Sequence, residues 1–242
     1  MSKPSDKSRL SDLPIPARIA LTLFAALIVS GMAVSGILVN LSLREDWVVT
    51  VPRIERIQAK YAWSPIKGAA LTSMREYLVD QEEVDAITKW CDQGGQRTGF
   101  YENVYPVLER RCLRCHGGET VMGNVSMTTW GDVANLSTIR GMPARKLALQ
   151  THNHVLGIGL LALMAGIMIS FTGYSTGTRV ILVAIPFLAM AADIGSWWLC
   201  RMNPDFSWVI WIAGFAMVAS LSALPLLAVW DMWRPRPSKS ME

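Results

Sequence analysis

Five consecutive residues hold the most specific chemistry in the chain: Cys112-Leu113-Arg114-Cys115-His116. Two thiols three positions apart, followed at once by an imidazole, suit one turn of helix. Such a turn sets both sulfurs along one edge of a flat macrocycle and brings the imidazole beneath it. This is the spacing of covalent haem attachment, in which the thiols add to the vinyl groups as thioethers and the histidine becomes the proximal iron ligand. Cys-x-x-Cys also serves redox disulfides and halves of zinc sites. Here no second Cys-x-x-Cys or Cys/His pair follows at zinc spacing, and no βαβ pattern precedes the motif. The residues predict one covalent haem c on Cys112 and Cys115, with His116 on the iron.

Several side chains compete for the distal position. The other histidines, His152 and His154, stand two apart on a predicted helix and point to nearly opposite sides, so at most one can meet the same iron. Met127 and Met142, with Met122 beside them, are the thioether alternatives, and an open or water-ligated iron is the last. Asp193 falls within an apolar block, where an acid is by default a candidate functional residue. With His152 or His154 it would suit a quinol or proton site; structurally, it would bond a neighbouring Ser or Trp or pair with Arg201. Cys91 and Cys200 form a candidate disulfide, with two unpaired thiols as the alternative.

The elements that carry these groups are set by hydropathy. The 242 residues are 51% hydrophobic, and the apolar ones gather into four blocks near Ile19–Leu41, Val155–Thr172, Val180–Leu199 and Trp208–Trp230, charged only at Asp193. Each is long enough to cross a bilayer core as a helix, and none has a polar face. The expected fold is mainly α: four transmembrane helices and a small α-helical haem domain. Its division is a tail at 1–18, helices at 19–43, 151–173, 180–200 and 207–231, a haem domain at 44–150 and a tail at 232–242. The first block exceeds the roughly 7–15-residue core of a signal peptide and is taken as an uncleaved anchor, although Ala33-Val34-Ser35 offers a cleavage site.

Positive charge gives the orientation. Lys3, Lys7, Arg9 and Arg18 precede the first helix, Arg179 lies between the second and third, and Arg234, Arg236 and Lys239 follow the fourth. Between the third and fourth there is only Arg201, offset by Asp205. Both termini are therefore expected in the cytoplasm and the haem domain in the periplasm of a bacterial inner membrane. Trp47, Trp197, Trp198, Trp208 and Trp211 would mark the outer interface, and Trp230 and Trp233 the inner one.

Within the outer segment the spacing predicts helices over Val51–Tyr61 and Met74–Gln93, with a capping box at Asp80 and Glu83 and a stop at Gly94-Gly95. Tyr101–Arg114 leads into the haem motif, with Tyr105, Val107 and Leu108 offered to the porphyrin; Met122–Pro143 is a loop with a short helix at Trp130–Leu136. Acidic and basic residues nearly balance across 44–150, so no nucleic-acid partner is implied. Arg110, Arg111 and Arg114 are placed to offset propionates or meet an acidic carrier.

Trp90-Cys91-Asp92-Gln93-Gly94, Tyr105-Pro106-Val107-Leu108 and Cys112–Gly118 together resemble small class I-type bacterial cytochrome c domains, over about 35 residues. The resemblance implies a membrane-anchored monohaem c-type cytochrome with a methionine downstream of the motif as distal ligand. The expected function is single-electron transfer as a subunit of a respiratory or photosynthetic complex, with other membrane subunits, and quinol or a soluble periplasmic carrier, as partners. Gly31, Gly36, Gly157, Gly166 and Gly214 would admit partner helices. The alternatives are quinol oxidation near His152/His154 and Asp193, and a haem-based gas or redox sensor.

Overall fold

The protein is described by a computed structural model in which residues 9–42, 53–117 and 125–235 are defined. Trp47 and Met122, and the terminal charges Lys3, Lys7, Arg236 and Lys239, lie outside these residues. Ten α-helices order the described chain: α1 (Ile15–Ser42), α2 (Arg53–Tyr61), α3 (Pro65–Leu71), α4 (Gln81–Asp92), α5 (Tyr105–Arg111), α6 (Leu113–His116), α7 (Trp130–Thr138), α8 (Ala144–Ser170), α9 (Thr176–Cys200) and α10 (Ser207–Trp233). The fold is mainly α, with four helices long and apolar enough to span a membrane: Ile15–Leu38, Ala144–Ser170, Thr176–Cys200 and Pro204–Trp233.

Contacts divide the chain into two units. The first comprises Met1–Val39, Thr151–Ile194 and Ile212–Glu242. Ala162, Ala189, Met217 and Leu221 form one of its cores, and Leu10, Ala165, Met168, Ile169, Leu224, Ala228 and Met232 another. A side chain at Gly166 would press on Val183 at 3.3 Å, so the missing Cβ sets how closely α8 and α9 approach. Gly31, Gly36 and Gly157 have open space where a Cβ would stand.

Polar bonds close one end of this unit. The Leu10 amide donates to the Phe171 carbonyl at 3.1 Å, and Arg18 donates to the Met232 carbonyl at 2.9 Å while its guanidinium lies 3.9 Å over the Trp233 ring. Trp233 Nε1 donates to Thr22 Oγ1 at 2.9 Å. Asp231, fully buried, accepts from the Gly173 amide at 2.7 Å and pairs with Arg234 at 3.0 Å. An acid beyond the last apolar block thus belongs to α10 and is internal.

The second unit comprises Asn40–Gln150 and Gly195–Trp211. Its core joins α3, α4, α5 and α7 through Ile66, Val84, Ile87, Trp90, Phe100, Val104, Leu108 and Val133. Gly94 and Gly95 end α4 in the left-handed region, with φ of 86° and 65°. The bend lets Trp90 Nε1 donate to the Gln96 carbonyl at 2.7 Å and Trp130 Nε1 to the Gly95 carbonyl at 3.1 Å. Gly141, at φ 58°, lies so close to the Tyr61 carbonyl that no side chain fits, and its amide donates to the Trp63 carbonyl at 2.8 Å.

Four expectations change. The helix placed at Met74–Gln93 begins only at Gln81: the Asp80 carboxylate caps the Glu83 amide at 2.9 Å, and a short 3-10 turn, Arg75–Tyr77, precedes it. A cap ends a helix outward, so the polar signal at Asp80 outweighed the apolar spacing before it. The α3 helix lies in a stretch too short to show a period. The α8 helix starts at Ala144, with Pro143 accepting from the Leu147 amide at 3.0 Å, because its first turns are polar and hydropathy marks only the apolar remainder. Trp197 is 5% exposed and stacks on Tyr61 at 5.8 Å; Trp198, Trp208 and Trp211 remain exposed.

Candidate functional site

The α5 helix opens with Pro106 in its first turn, where the absent amide removes no bond. It ends at Arg111, and Cys112 turns the chain into α6. The Cys112 carbonyl accepts from both the Cys115 amide at 3.0 Å and the His116 amide at 2.9 Å, so one tight turn carries both thiols and the imidazole. His116 Nδ1 donates to the Val125 carbonyl at 3.0 Å. That bond fixes the ring and its tautomer, so that Nε2 is the nitrogen with the lone pair. Gly117 keeps its extended backbone against Leu113, whose carbonyl would stand 2.8 Å from any Cβ there.

Glu83 braces the turn from α4. Its buried carboxylate takes Arg111 Nε at 3.1 Å on both oxygens, lies 3.6 Å from Arg110, and accepts the Val79 amide at 3.0 Å. Burial first, then the Glu83 carboxylate and Cys115, push the Cys112 thiol up to about 11. Cys115 is exposed and Cys112 half-buried. A haem linked to this pair would have one edge against the core and one toward solvent. The residues present fit a covalent haem: two thiols on one turn, and an imidazole whose other nitrogen is already engaged.

The other candidates are dispersed. Met127 is buried in the core, and its amide donates to the His116 carbonyl at 3.0 Å. Met142 donates its amide to Lys60 at 2.9 Å and accepts on its carbonyl from Arg201. His152 and His154 are exposed in the third turn of α8, not at its first residues as expected. Asp193 is 4% exposed in α9 and faces α10, where a Cβ on Gly214 would stand 3.4 Å from its carboxylate. Cys91 and Cys200 are both buried and stand as separate thiols in the structure. Cys200 donates to the Pro204 carbonyl at 3.8 Å, and burial is the main cause pushing the Cys91 thiol up to about 11.

Two functions of sequence positions were not foreseen. Val107 and Leu108, offered to the porphyrin, are 5% and 1% exposed and pack inward. Glu83 was visible only as a capping residue, whereas its main partner, Arg111, lies 28 positions away.

These helices define a multi-pass membrane protein with four candidate spans. Residues 137–239, the stretch that contains α8, α9 and α10, match a family model described as a transmembrane helical domain. No curated protein and no solved structure matches the chain.

Proposed function

We propose that the chain is a membrane-bound c-type cytochrome that passes single electrons through one covalent haem, as a subunit of a respiratory or photosynthetic electron-transfer complex. The observation that carries the reading is the His116 ring, whose Nδ1 is held by the Val125 carbonyl at 3.0 Å directly after the two thiols of the same turn. Cys112 and Cys115 would hold the porphyrin as thioethers and His116 would offer Nε2 to the iron. A haem held there would supply one-electron redox chemistry. The Val125 carbonyl keeps the imidazole from rotating, and the Glu83–Arg111 pair keeps the thiol-bearing turn against α4. The four candidate spans tie this domain to a bacterial inner membrane, with the charge distribution favouring a periplasmic haem.

The test is expression in a host that matures c-type cytochromes, followed by haem staining of a denaturing gel and a pyridine haemochrome assay. The stain should persist through acid-acetone extraction and be lost in Cys112→Ser/Cys115→Ser. A matured preparation without covalent haem would reject the reading.

One observation favours a second reading, quinol oxidation: the carboxylate of Asp193 is buried within a candidate span against α10. Stopped-flow reduction by a short-chain quinol, slowed in Asp193→Asn, would support it; equal rates would remove it.

A further inference from the structure

Among the described residues of the first unit, the arginines Arg9, Arg18, Arg179 and Arg234 all stand at the end where α1 starts, α8 passes into α9 and α10 stops. Two of them lie against a carboxylate. Asp231 pairs with Arg234 at 3.0 Å, and a Cβ built on Gly173 would meet Asp231, Arg9 and Arg234 together, at 3.2, 3.4 and 3.5 Å. Arg18 is engaged by the Met232 carbonyl and the face of Trp233.

Arg179 is left with neutral acceptors alone. It donates to the Ser170 carbonyl at 2.7 Å and to Thr176 Oγ1 at 3.2 Å, and its Nε is covered by protein with no acceptor. A guanidinium carries five N–H groups, so these two bonds hold it in place without satisfying it. A cation that has given up water and met no anion gains most from an anion supplied from outside.

The space beside it suits an apolar body. Ser170, Thr176 and Arg179 form the polar mouth of a groove of about 460 Å³, and Val180, Val183, Ala184 and Phe187 form its wall. Thr176, Val180, Val183 and Phe187 recur every three or four residues, which makes them one stripe of α9. At 1.5 Å per residue the stripe runs about 16 Å from mouth to foot. That is about half of the roughly 30 Å bilayer core, the depth of one leaflet. The stripe lies within a candidate span and Val180, at its head, is 63% exposed, so lipid is the solvent this wall meets.

A second apolar groove, on α10, makes the comparison. Leu226, Leu227 and Trp230 line it and Arg234 stands at its end, but Asp231 already answers that arginine. Of the two grooves, the one on α9 joins an apolar wall to a positive charge that no carboxylate meets.

We infer that the α9 groove binds one anionic phospholipid. An acyl chain lies along the stripe from Val180 to Phe187. The phosphate takes the remaining N–H groups of Arg179 and the hydroxyl proton of Thr176, whose oxygen already accepts from Arg179. A zwitterionic headgroup brings its own ammonium next to Arg179, so the site selects net negative charge. The inference stands apart from the haem reading.

The experiment uses the full-length protein in detergent, mixed with phosphatidylglycerol or phosphatidylcholine of the same acyl chains and read by native mass spectrometry. The native protein should retain one phosphatidylglycerol about tenfold better than phosphatidylcholine, the worth of one charge-assisted hydrogen bond. Arg179→Gln should abolish that preference. Ala184→Leu fills the groove and leaves Arg179 in place, so it should weaken retention of both lipids, and Trp230→Ala, in the other groove, should change neither. Equal retention of the two lipids by the native protein overturns the inference, as does a preference that survives in Arg179→Gln. Displacement of phosphatidylglycerol by inorganic phosphate overturns it too, because the groove would then add nothing to the headgroup. Should Arg179→Gln fail to fold, Ala184→Leu decides by itself: retention equal to native refutes the site.

Discussion

Truncating Glu83 should loosen the Cys112–His116 turn from α4 by an amount the structure lets one work out. The Glu83 side chain is 7% exposed and holds two separate partners, the Val79 amide at 3.0 Å and Arg111 Nε at 3.1 Å. Removing one member of a buried pair costs about 3–5 kcal/mol, because the other charge remains buried without its counterpart. Arg111 is 31% exposed and recovers some water, which places Glu83→Ala near the low end, about 3 kcal/mol. Arg110, 57% exposed, adds at most about 0.5 kcal/mol. Glu83→Gln keeps an acceptor for Val79 and loses only the charge, so it should cost about 1 kcal/mol. The reporter is Cys91, a buried thiol on the same helix. If the helix opens and recloses faster than the thiol is alkylated, the rate follows the open population. At 1.4 kcal/mol per tenfold, Glu83→Ala should speed Cys91 alkylation about 100-fold and Glu83→Gln about fivefold. A Glu83→Ala rate within threefold of native would refute the idea that this carboxylate ties the turn to α4.

Three further outcomes are expected. Gly94→Ala pays only for a left-handed backbone, about 1 kcal/mol, whereas Gly95→Ala adds a collision with the Ser137 hydroxyl and should cost about 3 kcal/mol in thermal unfolding. Denatured without reductant, the haem-loaded protein should offer Cys91 and Cys200 to alkylation but not Cys112 or Cys115; mass spectrometry showing four reactive thiols would mean no thioethers, and none a bridge between the first two. Burial raises the Cys91 thiol to about 11, so the reactive thiolate is scarce at neutral pH; below that value its alkylation in the native state should rise about tenfold per pH unit, and a rate that levels off near pH 9 would contradict the burial.

Much of this fold follows from patterns that act over short range. The four apolar blocks became four candidate spans because length and hydropathy are local quantities, and Trp130–Leu136 appeared as α7 because Thr129 caps the Asp132 amide at 3.2 Å. The turn at Cys112–His116 forms for the same reason, since the Cys112 carbonyl accepts from Cys115 and His116, whereas the bond from His116 to Val125 reaches nine positions along the chain. What could not be read is what distance in the chain decides. Nothing near Glu83 announces Arg111, nothing near Trp197 announces Tyr61, and the inward face of α5 depends on α4 and the π-helical turn Phe100–Val104 that it meets. The polar start of α8 shows the opposite limit, since a helix whose first turns hold Arg145 and Lys146 has no hydropathy there to announce it.

The two units also divide the chemistry. The family match to a transmembrane helical domain covers α8, α9 and α10, while Cys112–His116 and its brace at Glu83 lie before it. A bundle of this kind supplies a scaffold on which different sites can be set, so the helices alone say little about the reaction. The glycines refine that view: Gly166 and Gly214 serve contacts with α9, whereas Gly31 and Gly36 in α1, Gly157 in α8, and Gly177 and Gly195 in α9 have open space where a Cβ would stand. A side chain added at Gly31 or Gly157 meets nothing, so Gly31→Leu and Gly157→Leu should leave the thermal unfolding midpoint unchanged, whereas the same change at Gly166 presses on Val183 and should lower it.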